Sequence, residues 1–176
     1  MATSLPKKEI AMDVNDANEL EAIREEWALA IGKFITAFTQ IENWMYWYIR
    51  TFGSLAVREA TDDLGLKQRA SLVKALITDI GLIPSIQARV DAAFQTINSL
   101  SKPRNVVAHN GIAITIREQD DGELVARHEL LSNRDPRKDV TIALLSQYTQ
   151  KAREVDEELA ILYGELRQSK NHLPRS

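Results

Sequence analysis

Trp27, Ile31, Phe34, Phe38, Ile41, Met45, Tyr48 and Phe52 follow one another at alternating steps of four and three residues. That cadence holds them on one stripe of a helix and predicts a long first helix from about Asp16 to Phe52, stopped at Gly53. Ile35, Trp44, Trp47 and Ile49 lie off the stripe, so the C-terminal half of this helix is apolar on most sides and needs two partners. One is the protomer's own core. The other is either a second copy of the chain or the chain's own loops and remaining helices. Leu66, Ala70, Val73, Ile77 and Ile80 mark a second helix, stopped by Gly81 and Pro84, and Ile86, Val90, Ala93, Phe94, Ile97 and Leu100 mark a third. Pro103 breaks or kinks a helix interior but is tolerated in a first turn, so Ser101 reads as the N-cap of a separate short helix carrying Arg104 to His109. Asn110-Gly111 then supplies a stop, with glycine in the left-handed conformation.

From Gly111 the period changes. Ile112, Ile114 and Ile116 alternate with smaller or polar residues, Asp121-Gly122 offers a tight turn, and Glu123 to His128 reads as the return strand of a β-hairpin. A turn through Asn133-Arg134-Asp135-Pro136 leads to a last helix of about 25 residues, marked by Leu145, Tyr148, Ala152, Val155, Leu159, Leu162 and Leu166. The predicted architecture is mainly α, a four- to five-helix bundle with a β-hairpin inserted after the Arg/His segment. With 44% hydrophobic residues in 176, the chain supports one core and one domain over 1–176, with a polar lead-in to about residue 15 and a polar tail from about 168.

Composition narrows the chemistry. There is no cysteine, which excludes disulfides, thiolate metal sites and cysteine nucleophiles and fits a cytoplasmic protein. No apolar run has signal-peptide or membrane-span length, so no membrane association is expected. A net charge of −3 argues against coating nucleic acid through bulk electrostatics. The charge is unevenly spread: residues 1–65 carry a net −5, residues 66–117 a net +5 and residues 118–176 a net −3. Lys67, Arg69, Lys74, Arg89 and Lys102 in the basic third are either solvated helix faces or a local positive field. No His/Asp/Glu cluster has metal-ligand spacing, and no glycine-rich phosphate loop or nucleophile elbow is present, so neither metal nor cofactor is expected.

The segment Arg104-Asn105-Val106-Val107-Ala108-His109 places a permanent cation, an amide and an imidazole within two helical turns, a grouping suited to phosphate chemistry. Arg167 and His172 repeat the spacing, but without an apolar spacer or a helix stop behind the histidine. The first segment resembles the signature of the HEPN domain superfamily: an arginine, a small polar residue, a short apolar spacer and a histidine. The long first helix with Phe38-Thr39-Gln40-Ile41-Glu42 is similar to the same family, whose members include metal-independent RNases and inactive relatives. The resemblance implies a composite site at a homodimer interface, with Arg104, His109 and Asn105 catalytic and Glu42, Lys102 and Asn110 supporting or binding RNA. It also implies a 2′,3′-cyclic phosphate and a 5′-hydroxyl as products, and a place as a toxin or defence effector, with an antitoxin protein as a further partner. The tyrosine found two residues after the histidine in the family's toxin branch is Gly111 here, which puts control through that tyrosine in doubt.

Arg104 and His109 are five positions apart, about 140° around an ideal helix. They meet at one ligand only across a two-fold axis or through an irregular helix end. Three readings remain open: a ribonuclease, a catalytically silent module that binds a nucleotide or protein partner, and a structural dimer held by an Arg104–Glu42 pair. Glu42 itself either meets Arg104 or faces solvent.

Overall fold

A computed structural model of the protein describes residues 14–61, 63–118, 124–130 and 140–172. The chain is mainly helical. Among the described residues there are five helices, α1 (Val14–Phe52), α2 (Leu55–Glu59), α3 (Leu66–Thr78), α4 (Pro84–His109) and α5 (Ile142–His172), with strands β1 (Ile112–Glu118) and β2 (Leu124–Leu130) between α4 and α5. The lead-in before residue 14, both predicted turns (Asp121-Gly122 and Asn133 to Pro136) and the last four residues of the tail lie outside the described residues. The tail expected from about 168 is helical through His172, so α5 has 31 residues.

The stripe on α1 packs as its spacing requires: Trp27, Phe34, Phe38, Ile41, Met45 and Tyr48 are fully buried, and Ile31 and Phe52 half-buried. The helix stops where the Gly53 N–H donates to the Ile49 carbonyl at 2.8 Å. A Cβ at Gly53 would stand 2.7 Å from that oxygen, so only glycine fits.

Three bonds tie α1 to α5. Trp44 Nε1 donates to Asp156 Oδ1 at 2.6 Å, the Tyr48 hydroxyl to the Leu159 carbonyl at 2.8 Å, and the hydroxyls of Thr51 and Tyr163 share a bond of 2.8 Å. Both members of each pair rise together in sequence number, so α1 and α5 run parallel. The rings of Trp44, Tyr48, Phe52 and Tyr163 pack tilted or edge-on around these bonds. The chain itself therefore supplies most of the second partner that α1 requires: Ile49 is buried and Ile35 and Trp44 are half-buried, leaving Trp47 at 53% exposure. Burial of the Tyr48 phenol, together with the nearby Glu158 carboxylate, pushes its pKa far above the ordinary value.

α4 differs from the sequence expectation. It is one helix of 26 residues with Pro103 inside it, and Pro84, expected as a stop, occupies its first turn. Ser101 caps nothing; its hydroxyl donates to the Asn98 carbonyl within the helix at 2.7 Å. Pro103 costs about 3 kcal/mol in a helix interior. Leu100, Pro103 and Val107 continue the buried stripe of Val90, Ala93, Phe94 and Ile97, and two such aliphatic side chains contribute roughly 1.5–3 kcal/mol each on burial. Packing offsets the lost hydrogen bond. The helix ends at Asn110, whose backbone is extended (φ −127°, ψ 147°) and leads directly into β1. Gly111 is not left-handed; among the described residues the positive-φ position is Gly81, in the turn between α3 and α4.

β1 and β2 pair antiparallel, from Ile112 opposite Leu130 to Glu118 opposite Leu124. Leu130 and Val140, both buried, exchange two backbone hydrogen bonds of 3.0 and 3.2 Å, which fastens the end of β2 beside the start of α5. α2 went unforeseen because five residues show no helical period; its signal is Ser54, whose hydroxyl accepts from the Val57 N–H.

Candidate functional site on the α1–α4 face

α4 descends past the rising α1 and α5. Near its start Arg89 donates to Glu158 at 2.7 Å and Glu165 at 2.9 Å on α5, level with Tyr48 and Tyr163, whereas Arg104 near its end lies beside Glu42, lower on α1. The hydrogen bonds it donates to the two carboxylates hold the Arg89 guanidinium firmly in its charged form. Lys74 on α3 pairs with Asp91 on α4 at 2.7 Å, and that bond lowers the Asp91 carboxyl below its usual range. Two of the five cations read from the basic third are thus committed to neighbouring acids.

Arg104 Nη2 lies 3.5 Å from Glu42 Oε1, with the side chains 36% and 21% exposed. Its Nη1 donates to Asn105 Oδ1 at 3.4 Å. This is a half-exposed ion pair, worth roughly 1 kcal/mol or less, rather than a buried bridge whose loss would expose an uncompensated charge. Such a pair orients the guanidinium without making the fold depend on it.

His109 and Asn105 are both exposed. On a regular helix they are one turn apart and about 40° around the axis, and Lys102 falls on the same outward face. The ammonium, amide and imidazole therefore line one stripe opposite the core, a register that the Arg-to-His spacing alone does not reveal. Arg104 stands off this stripe, toward α1. Because α4 stays helical through His109, an irregular helix end does not join Arg104 to His109 within a protomer. Asn110 caps instead: its N–H and its side-chain Nδ2 both donate to the Val106 carbonyl, at 3.1 and 2.8 Å. His128 stands in β2 opposite Ile114. No group of three or more His, Asp or Glu residues suited to a metal occurs among the described residues.

One turn beyond Glu42 on α1, sequence reasoning missed a second feature. The Arg69 guanidinium of α3 lies against the Tyr46 ring, 4.4 Å from its centroid, and Arg50 approaches the Trp47 ring at 6.0 Å. Arg69 Nε and Nη1 are buried without a hydrogen-bond partner. Such donors cost roughly 1–3 kcal/mol each, against about 0.5–2 kcal/mol from a cation on a ring. The available signal was Tyr46-Trp47 at consecutive positions of a helix whose stripe uses neither.

No protein-family model matches this chain, and no curated protein or solved structure does. No helix among the described residues is long and apolar enough to cross a membrane.

Proposed function

We propose that the protein is a metal-independent endoribonuclease of HEPN type, acting in the cytoplasm as a homodimer whose composite site joins one protomer's Arg104 to its partner's His109. The observation that carries this is the placement of Arg104, oriented by Glu42 and Asn105 on a half-exposed face where the fold gains little from it. The exposed Asn105 and His109, one turn apart on the outward face of α4, support the same reading. In this reading the strand pair is a hairpin inserted directly behind the site, and a toxin or defence role with an antitoxin partner follows from the resemblance alone.

RNA brings its own nucleophile. The 2′-oxygen attacks phosphorus while His109 takes its proton, the bond from phosphorus to the 5′-oxygen breaks, and that oxygen is protonated as it leaves. The Arg104 fork neutralises charge developing on the phosphoryl oxygens, and the Asn105 amide holds the phosphate or the imidazole. Lys102, on the stripe of His109, draws in the neighbouring phosphate. The products are a 2′,3′-cyclic phosphate and a 5′-hydroxyl.

The test is incubation with mixed single-stranded and structured RNA in EDTA, comparing wild type with His109→Ala. Cyclic-phosphate ends that disappear in the variant are expected. Intact RNA with well-folded wild-type protein would favour the second reading, a silent module that binds a nucleotide or a protein through the same half-exposed Arg104.

A further inference from the structure

We propose that Tyr46 and Trp47, with Arg69 and Arg50, form a stacking platform that holds single-stranded RNA beside the Arg104 site, an inference that rests on the ribonuclease reading. Tyr46 and Trp47 are 45% and 53% exposed, at consecutive positions about 100° apart on a helix that buries its other large aromatics wholly or in part. Each ring has an arginine near its face, at 4.4 and 6.0 Å. Exposed aromatic rings backed by guanidinium groups are what unpaired bases and their phosphates require: every base offers a face to stack, and each arginine meets the backbone charge. Arg69 also keeps two buried donors without a partner, so an anion reaching this side chain would gain hydrogen bonds that the protein alone does not make.

The position is right for the proposed chemistry. Tyr46 follows Glu42 by four residues, about 6 Å along α1 and 40° around it, and Glu42 pairs with Arg104. Arg69 sits against the same stretch of α1. A base stacked on Tyr46 therefore lies within about one nucleotide's length of Arg104, and Trp47, about 140° around α1 from Glu42, takes the strand as it continues around the helix away from that site. A duplex cannot use such rings, because its bases are already stacked. Charge argues against a second copy as the occupant. A two-fold contact through this patch would bring two arginines from each protomer together.

The experiment measures fluorescence anisotropy of a labelled single-stranded oligonucleotide with 2′-O-methyl sugars, which cannot be cleaved, against full-length wild type, Tyr46→Ala, Trp47→Ala and Trp47→Phe, with circular dichroism as a folding check. Each alanine variant is expected to weaken binding about five- to a hundredfold, Trp47→Phe to retain most of it, and the matching duplex to bind more weakly than the single strand. Arg50→Ala should make binding less steep in salt by a slope of about 0.7. Folded alanine variants that bind within twofold of wild type would overturn the platform, as would variants that lose only self-association, which would assign the face to a second copy. RNA cleavage by wild type with unchanged binding would remove the platform and leave the nuclease. Binding lost in the variants while wild type cleaves nothing would do the reverse.

Discussion

The two surfaces of α1 are built for different purposes. Toward α5 it is closed by interlocked rings and by bonds from Trp44, Tyr48 and Thr51, each to a partner about 112 positions away. Toward α4 and α3 it carries Glu42 and Tyr46, and on the outward face beyond them Trp47, half-exposed or exposed, beside arginines that are held in place yet only partly used. The first surface joins the polar groups of Trp44, Tyr48 and Thr51 to α5 and contributes stability; the second keeps charge and aromatic area accessible and contributes little. Residues that hold charge and aromatic area open with little stability return are the ones that chemistry explains best.

Substitutions should separate the two surfaces. Tyr48→Ala, on the closed side, removes a fully buried ring and should lower the unfolding free energy by about 3–5 kcal/mol in a urea titration. Arg104→Ala, on the open side, should change that titration by about 1 kcal/mol or less while slowing RNA cleavage roughly a hundred- to a thousandfold. A loss of stability comparable to that of Tyr48→Ala would instead make Arg104 a structural residue. Tyr48→Phe should cost roughly 1 kcal/mol at neutral pH, the bond to the Leu159 carbonyl. It should also raise the pH of alkaline unfolding. A phenol whose pKa is raised on folding gives stability that is complete below its ordinary value of 10.0 and is lost as the pH climbs above it, where the unfolded chain ionises first. Equal alkaline midpoints for the two proteins would contradict the burial argument. Gly164→Ala, at an exposed position of α5 where a Cβ meets nothing within 4 Å, should raise thermal stability by about 0.5–1 kcal/mol and leave both surfaces unchanged.

Legibility in the sequence followed the same division. Steps of four and three residues on α1 and α5 identify both helices and nearly all of their buried positions, because periodicity is local. That the two run parallel, with α5 covering Trp44, depends on a pairing more than 100 residues apart, and no local pattern encodes it. The extra apolar face therefore reads equally well as a surface for a second copy. Pro103 misled for a related reason: its local cost is visible, whereas the burial of Leu100 and Val107 that offsets it becomes visible only in the packed bundle. On the open side Arg104, Asn105 and His109 stood out by type and spacing, and the pairing of Arg104 with Glu42 was one of two alternatives left open. Asn110 was read as a supporting or RNA-binding residue, and its side chain caps the helix. Tyr46 and Arg69 gave no motif at all, since a cation meets a ring there through a helix contact rather than through spacing.

The composite site can be tested by subunit complementation. Arg104→Ala and His109→Ala proteins, each inactive alone, are unfolded together, refolded as a mixture and assayed for RNA cleavage in EDTA. If Arg104 of one protomer works with His109 of its partner, half of the dimers are mixed and each of these has one intact site, so about a quarter of the wild-type rate should return. No recovered activity in a mixture shown to contain mixed dimers would contradict the shared site.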